Sequence, residues 1–153
     1  MIAKEKKIIT STTTELLKIL EIDGDFEFSE KDKDEGIDMV LNTQDSGMVI
    51  GYHGDTLDAL QLILSLCVSK KLGEFKRISL EVGDYKKNRI EWLKNLALET
   101  KERVINENKE ITLPQLKSWE RRIVHLFLEN DENVVSKSMG EGRDRVLTVS
   151  PKN

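Results

Sequence analysis

Two groups of residues in this sequence have types and spacings suited to binding nucleic acid. The first is Gly51-Tyr52-His53-Gly54. Two glycines around two other residues let the backbone turn sharply with no Cβ atom in the way. A phosphate chain can then approach closely and face the amide groups at the start of a following helix. The GxxG spacing alone is weak evidence in a chain with nine glycines, and a helix C-cap followed by a turn is the simpler alternative.

The second group is Arg121 and His125, four residues apart, with Arg122 beside them. Successive helical residues are about 100° apart, so Arg121 and His125 project away from an apolar stripe that includes Trp119 and Ile123. His125 is therefore not expected in the core, whereas Trp119 is. A guanidinium and an imidazole on one exposed face can hold a phosphate and stack on a base. The simpler alternative is a solvated helix face.

Other chemistries find little support in the residues. The chain has two histidines and one cysteine, with no close pair at the spacing of a zinc site. It has neither a Gly-x-Ser-x-Gly elbow nor a Walker phosphate loop. Cys67 lies in an apolar run, which predicts burial rather than reactivity. We expect no enzymatic activity, no metal, no cofactor and no small-molecule substrate.

Charge is distributed unevenly along the chain. The formal net charge of −4 disfavours indiscriminate binding to nucleic acid, because nonspecific affinity depends on cations that meet phosphates. One stretch, which we call the basic segment, nevertheless carries more cations than carboxylates and is a candidate to support RNA binding. Its cations are Lys70, Lys71, Lys76, Arg77, Lys86, Lys87 and Arg89. An ordinary solvated surface is the alternative.

Length and hydropathy limit the number of domains and the class of protein that this chain can be. A chain of 153 residues has room for one ordinary domain or two small ones. Apolar residues make up 38% and charged residues 34% of the chain, which is typical of a folded protein. No run approaches the ~20 apolar residues of a membrane span, and residues 1–14 lack the apolar core of a signal peptide. A cytoplasmic location is expected.

The hydrophobic pattern predicts the order α-β-β-α-α-β for residues 1–83. This order places the GxxG tetrapeptide between two helices, which is the arrangement of a type II KH domain. The predicted elements are a helix at 10–20 capped by Ser11 or Thr12, strands at 26–29 and 37–41 around a charged turn at 30–36, a helical turn at 45–50, a helix from Asp55 to about Lys70 ended by Gly73, and a strand at 78–82.

A second unit is predicted at residues 84–153, with two helices on a small three-stranded sheet, so the fold class of the chain is α+β. The predicted elements are a helix at 85–106 capped by Asp84 with Ile90, Leu93, Ala97 and Val104 inward, a strand at 111–113, a helix that begins at Pro114 and turns Leu116, Trp119, Ile123 and Leu126 inward, and a hairpin of strands 134–137 and 146–149 around Gly140-Glu141-Gly142.

Three stretches together resemble the Jag family of bacterial proteins, whose members are also called SpoIIIJ-associated proteins, KhpB or EloR. They are DSGMVIGYHGDTLDALQ at 45–61, ERRIVHLFLEND at 120–131, and the terminal hairpin at 138–151. The likeness covers residues 10–151. It implies a type II KH domain followed by an R-three-H (Arg-x-x-x-His) domain, with residues 51–54 as the KH loop and Arg121 and His125 as the second domain's signature.

The resemblance also implies a function. Members are cytosolic proteins that bind single-stranded RNA and act in cell elongation, division or sporulation, with single-stranded DNA as an alternative ligand. The implied partners are the small KH protein KhpA and a YidC-type membrane insertase, and a homodimer is a further expectation. The acidic charge and the uncharged loop leave open a different class of function, a protein-interaction adaptor that barely touches RNA.

The sequence departs from the family pattern in two ways. Tyr52 and His53 stand where KH loops commonly carry Lys or Arg, so binding through this loop is expected to be weaker or to depend more on stacking. The N-terminal Jag domain and linker of many relatives are missing, so we expect either a short natural form or a fragment.

Overall fold

A computed structural model describes residues 3–30 and 36–152. The chain divides into two compact units, Met1–Tyr85 and Lys86–Asn153. Each unit has its own three-stranded sheet and its own apolar core. The predicted α+β fold class is confirmed. Among the described helices, none has the length and apolar character needed to span a membrane.

The first unit follows the predicted α-β-β-α-α-β order. Its elements are α1 (Ala3–Ile19), β1 (Gly24–Glu30), β2 (Gly36–Thr43), α2 (Ser46–Ile50), α3 (Asp55–Leu72) and β3 (Arg77–Val82). The prediction that Ser11 or Thr12 caps α1 is wrong, because the helix begins at least seven residues before the predicted start. Ser11 instead donates to the carbonyl of Ile8 inside the helix. The predicted turn at 30–36 falls largely on residues 31–35, which lie outside the described residues.

The first sheet has the order β1-β2-β3, with β1 antiparallel and β3 parallel to β2. Alternate residues of β2 point to opposite faces, and Ile37, Met39 and Leu41 point into the core. The helix α3 packs on this face through apolar side chains spaced three and four apart, and Gly73 ends it in the left-handed conformation. These apolar residues are Leu57, Leu60, Leu64 and Val68.

One polar row of α3 also fixes the outer strand. The side chains of Gln61 and Ser65 accept hydrogen bonds from the backbone N–H groups of Leu80 and Ile78, at 2.9 and 3.0 Å. Ser69 accepts from the N–H of Lys76 at 2.9 Å. These three side chains are four residues apart and lie on one helix face, so they follow the edge of β3. The backbone N–H groups of Lys76, Ile78 and Leu80 at this sheet edge therefore have hydrogen-bond partners on α3.

The second unit is built from α4 (Tyr85–Glu107), β4 (Ile111–Thr112), α5 (Ser118–Leu128), β5 (Val134–Met139) and β6 (Val146–Pro151). Its antiparallel sheet has the order β4-β6-β5, which leaves β5 at an edge. The predicted inner face of α4 is correct for Leu93, Ala97 and Val104, which are buried, while Ile90 is half-buried.

Two predictions for α5 are wrong. The helix begins at Ser118 and not at Pro114, because the preceding segment runs along the sheet, where Leu113 donates its N–H to the carbonyl of Leu147 at 2.9 Å. The inward residues are Glu120, Val124 and Leu128. The predicted core residues Trp119 and Leu126 are 38% and 49% exposed, and Leu116 is buried but lies outside the helix.

A buried ion pair explains the rotation of α5 relative to the prediction. The Oε1 atom of Glu120 lies 2.7 Å from Nε of Arg89, and these side chains are only 1% and 10% exposed. The other oxygen, Oε2, accepts a hydrogen bond from the backbone N–H of Lys117 at 2.8 Å and so caps the start of α5. The carboxylate of Glu120 thus turns inward because both of its oxygens have partners there.

Candidate nucleic-acid interface

The GxxG loop depends on both of its glycines. Gly51 has φ 69° and ψ −167°, and a Cβ atom there would collide with the side chain of Thr56. Gly54 has φ 78°, and a Cβ atom there would lie 2.8 Å from the hydroxyl oxygen of Tyr85. Residues Tyr52–Gly54 form a short 3-10 turn in which His53 also adopts a positive φ of 49°. Only glycine fits both outer positions.

The two residues between the glycines are presented to solvent. Tyr52 is 79% exposed, and its ring meets that of His53 edge to face, with ring centroids 4.0 Å apart. Exposed rings can stack on unpaired bases. The loop carries no Lys or Arg, and Asp55 and Asp58 occupy the first turn of α3, where carboxylates compete with a phosphate for the positive end of the helix. The loop therefore offers backbone amides and rings rather than charge.

The open face of the first sheet is acidic. The register places Glu27 and Glu81 on either side of the half-exposed Val40. Asp38, two residues earlier on β2, shares this face, as does Asp25 of β1. A face with four carboxylates repels a phosphate chain. The loop and the helices beside it are thus the better surface for RNA in this unit.

The structure does not gather the basic segment at the loop. Lys70 and Lys71 lie in the last turn of α3, about 24 Å from the loop at about 1.5 Å per residue. Lys71 pairs with Glu15 at 3.1 Å. Of the seven cations, Lys76 is paired with Glu74 and Arg89 is buried against Glu120, and Arg77 begins β3. Lys86 and Lys87 instead follow Tyr85, the residue that packs on Gly54, directly in the chain.

In the second unit, Arg121 and His125 lie on the same side of α5. The Nη1 atom of Arg121 donates to the carbonyls of Leu116 and Arg145, at 2.6 and 3.2 Å, and Nη2 donates to Oγ of Ser118 at 3.1 Å. His125 is exposed, as predicted, and its Nδ1 atom lies 2.8 Å from Oγ of Ser136. Arg121 is only half-exposed and is held by three protein groups.

Sequence reasoning missed the strand residues that complete this surface. Ser136 and Ser138 point to the same face of β5, since they are two residues apart. Ser138 accepts a hydrogen bond from Nε of Arg145 at 2.8 Å. The sequence did contain a signal for them, because two serines occupy alternate positions of a strand that ends in a glycine turn. Arg122, the third residue of the predicted group, is exposed on α5.

The far end of α5 is fixed by a carboxylate with a depressed pKa. Asp131 lies 2.5 Å from Nζ of Lys101 and accepts the backbone N–H of Asn133 at 2.9 Å. The hydrogen bond from Lys101 is the largest cause that lowers the pKa of Asp131, and burial opposes it. These bonds of Asp131 position the start of β5.

Among residues 3–30 and 36–152, no group of three or more His, Cys, Asp or Glu side chains could hold a metal ion.

Comparison with known proteins assigns both units to families. Residues 6–82 match the model of the KhpA/KhpB KH domain, and residues 91–151 match that of the R-three-H domain. A protein of Clostridium symbiosum named RNA-binding protein KhpB is 32% identical over 156 residues, which cover 98% of this chain and 69% of that protein. The chain belongs to the KhpB family.

Other members of the KhpB family are covered over less of their length. RNA-binding protein KhpB of Bacillus subtilis (strain 168) is 32% identical over 114 residues, which cover 73% of this chain and 55% of that protein. The protein of the same name from Lactiplantibacillus plantarum is 32% identical over 110 residues, or 72% of this chain and 34% of that protein. The matched region is therefore between about a third and about two thirds of these relatives.

Proposed function

We propose that this protein is a noncatalytic binder of single-stranded RNA and acts as a post-transcriptional regulator in the bacterial cytoplasm, in cell elongation, division or sporulation. The observation that carries the proposal is the GxxG loop, which presents Tyr52 and His53 to solvent between two helices. The name of the relatives, RNA-binding protein KhpB, supports the same ligand. Single-stranded DNA is the alternative ligand, and the regulatory role rests on the family resemblance.

In the first unit, about four nucleotides would lie along the loop and the adjoining helices. Close approach of the backbone is possible because Gly51 and Gly54 carry no side chain. The rings of Tyr52 and His53 would stack on bases, and each stacked base contributes about 1–3 kcal/mol. This mode needs no cation within the loop, which fits its composition.

In the second unit, RNA would meet the face of α5 that carries Arg121, Arg122 and His125. The imidazole of His125 is held at Nδ1 by Ser136, so its orientation is fixed and its other nitrogen is directed away from that serine. Arg122 is exposed and, among the described residues, has no ion pair. Of these side chains, Arg122 and His125 would contact phosphates of the bound RNA directly.

The test is a fluorescence anisotropy titration of a labelled single-stranded RNA pool with loop variants. Replacing Gly51 or Gly54 would also strain the fold, so the informative change is Tyr52→Asp with His53→Asp. Aspartate tolerates the left-handed conformation at position 53, while two new negative charges repel phosphates. We expect the affinity for RNA to fall at least about tenfold, because ring stacking is lost and the new charges keep phosphates away from the loop.

The matched control is Tyr52→Phe with His53 unchanged, which keeps both rings and adds no charge. This variant should bind within about threefold of wild type, because both stacking rings are retained. Equal binding by wild type and the double aspartate variant would remove RNA from this loop. The same titration with single-stranded DNA distinguishes the two nucleic acids.

An exposed apolar face on α3 favours a second candidate function, the adaptor. Leu62 and Leu66 are 60% and 54% exposed, and Ile63 between them is also exposed. Their spacing of one and four places them on one helix face, opposite the buried leucines. A patch of this kind is typical of a protein-binding surface. The occupant we propose is the KH domain of a KhpA-like protein, because one family model describes the KH domains of KhpA and KhpB together.

Light scattering on the chain alone and mixed with a KhpA-like protein tests the adaptor. The adaptor function would be supported by a 1:1 complex that is lost in Leu66→Asp but kept in Leu66→Gln. It would be favoured over RNA binding if the loop variants also left RNA affinity unchanged. Particles of the chain's own doubled mass would instead indicate a homodimer on this face. The YidC-type insertase is proposed as a partner from the family resemblance alone, and co-purification from detergent-solubilised membranes would test it.

A further inference from the structure

The hairpin loop between β5 and β6 is held in one conformation by side chains from outside it. Nε2 of Gln115 donates to the carbonyl of Arg143 at 2.9 Å, and Nη1 of Arg121 donates to the carbonyl of Arg145 at 3.2 Å. Gly140 has φ 87°, and a Cβ atom there would lie 2.9 Å from the carbonyl oxygen of Asp144. The loop is therefore tight and is anchored to the segment that leads into α5.

The guanidinium of Arg121 is largely committed to this anchoring. It has five N–H groups, and three of them donate to Leu116, Arg145 and Ser118. Both hydrogens of Nη1 are used on backbone carbonyls. Few donors remain for a phosphate, so this arginine is better suited to hold the loop than to grip RNA directly.

The arginines of the loop have the opposite character. Arg143 and Arg145 are exposed, and within the described part of the chain neither is paired with a carboxylate. Nε of Arg145 donates to Ser138, which fixes its direction and leaves its two terminal amino groups toward solvent. Arg145 is thus an anchored arginine with free terminal amino groups, which suits it to bidentate contact with phosphate, and Arg143 is a second exposed guanidinium in the same loop.

We propose that the phosphate-binding element of the second unit is the β5–β6 loop, through Arg143 and Arg145, and that Arg121 is a positioning residue that holds this loop in place. The ligand class is the phosphodiester backbone of single-stranded RNA. The inference rests on the proposed RNA-binding function and names the side chains that make the contact. It differs from direct contact by Arg121, because the arginine of the signature acts through the carbonyl of Arg145.

The contact is tested by the salt dependence of RNA affinity for the full chain, with a labelled single-stranded RNA pool of about 12 nucleotides. We expect Arg143→Gln with Arg145→Gln to flatten the slope of log K against log salt by about 0.7 per lost contact, and to weaken binding about tenfold near 0.15 M salt. The control is Lys94→Gln with Lys109→Gln, which removes two exposed charges elsewhere in the same unit and should change binding much less.

The positioning role is tested separately with Arg121→Lys, which keeps the charge but loses the planar fork. Without RNA, amide hydrogen exchange should accelerate in residues 139–146 and remain unchanged in β4. With RNA, affinity should fall although the charge is retained. Circular dichroism identifies a variant that has unfolded, and in that case Arg121→Gln is used for the same exchange measurement.

Three results would overturn the inference. The first concerns two separate variants. The Arg143/Arg145 variant would keep the wild-type slope of log K against log salt, while the variant at Tyr52 and His53 would lose affinity for RNA. That pattern would leave the proposed RNA binding intact and remove only the hairpin contact. The second is unchanged exchange of the hairpin in the Arg121 variants. The third is a wild-type chain that binds no RNA, which overturns the proposed function as well.

Discussion

The two candidate RNA-binding surfaces are built in opposite ways. The GxxG loop of the first unit consists of backbone with positive φ angles at Gly51, His53 and Gly54, and its exposed groups are rings and amides. The face of α5 and its hairpin in the second unit consists of charged side chains, aligned by hydrogen bonds to carbonyls and serines. One surface is made by conformation, the other by charge.

This difference predicts how each surface responds to solution conditions and to mutation. Contacts made through stacking and close approach depend weakly on salt, whereas contacts between arginine and phosphate weaken steeply as salt rises. The loop should be sensitive to changes that alter backbone conformation, and the second surface to changes that remove an anchor.

The largest effect is expected at the anchor of α5. Glu120→Ala leaves the guanidinium of Arg89 buried without its carboxylate, which should destabilise the second unit by about 3–5 kcal/mol. Trp92 and Trp119, the two tryptophans of the chain, both lie in this unit. Urea unfolding followed by tryptophan fluorescence therefore measures it selectively.

The control for Glu120→Ala replaces both partners. Arg89→Met with Glu120→Met removes the buried charge as well as the unpaired group, so stability should recover to within about 1–2 kcal/mol of wild type. A single variant as stable as wild type would show that the pair does not hold α5, and would weaken the contrast between an anchored surface and a backbone-built one.

The next effect is expected in the loop of the first unit. Gly51→Ala must adopt φ 69° and ψ −167° and displace Thr56, which should cost about 1–3 kcal/mol. Gly47→Ala in α2 is the matched control, since nothing lies within 4 Å of the added carbon, and it should be neutral or slightly stabilising. Amide exchange in β2 and β3 measures both. Equal exchange in the two variants would contradict a loop specified by glycine conformation.

Acid should destabilise the second unit through Asp131. Its folded pKa is lowered, chiefly by the hydrogen bond from Lys101, so its contribution is fully present above the ordinary aspartate pKa of about 3.9 and is lost as pH falls through the folded pKa. At pH 7, Asp131→Asn should cost about 1–2 kcal/mol. Tryptophan-monitored urea midpoints at pH 7 and near pH 3 test this, and the difference between wild type and variant should shrink at the lower pH.

The smallest effect separates two parts of the basic segment. Lys86→Gln with Lys87→Gln should weaken RNA binding about three- to tenfold near 0.15 M salt, because these lysines follow the tyrosine that packs on Gly54. Lys70→Gln with Lys71→Gln should change affinity less than about twofold, since this pair lies at the other end of α3. A larger effect of the second pair in the same titration would place RNA along α3.

Local pattern predicted most of the fold. The element order of the first unit, the end of α3 at Gly73 and the inner face of α4 follow from periodicity and turn residues. Cys67 is half-buried, where full burial was expected. The start of α1 was predicted too late because Ser11 or Thr12 resembled an N-cap, although the hydroxyl of the neighbouring Thr13 donates to the carbonyl of Ile9 within the helix.

The face of α5 could not be predicted from its own sequence. Apolar residues cover a wide arc of this helix, opposite Arg122 and His125, so more than one apolar stripe within that arc fits the period. The choice depends on Arg89, which is 31 residues away and draws Glu120 inward. For the same reason the sequence indicated the Arg-His pair but not its partners, since Arg145, Ser136 and Ser138 reach it only through the hairpin.

We propose that single-stranded RNA is held at the loop through rings and backbone and at the hairpin face through arginines. Mapping the residues that become crosslinked to RNA under ultraviolet light tests it most directly. We expect crosslinks at Tyr52 and His53 and within residues 121–145. Crosslinks on the acidic face of the first sheet, around Val40, or no crosslinks above those of a control protein, would contradict it.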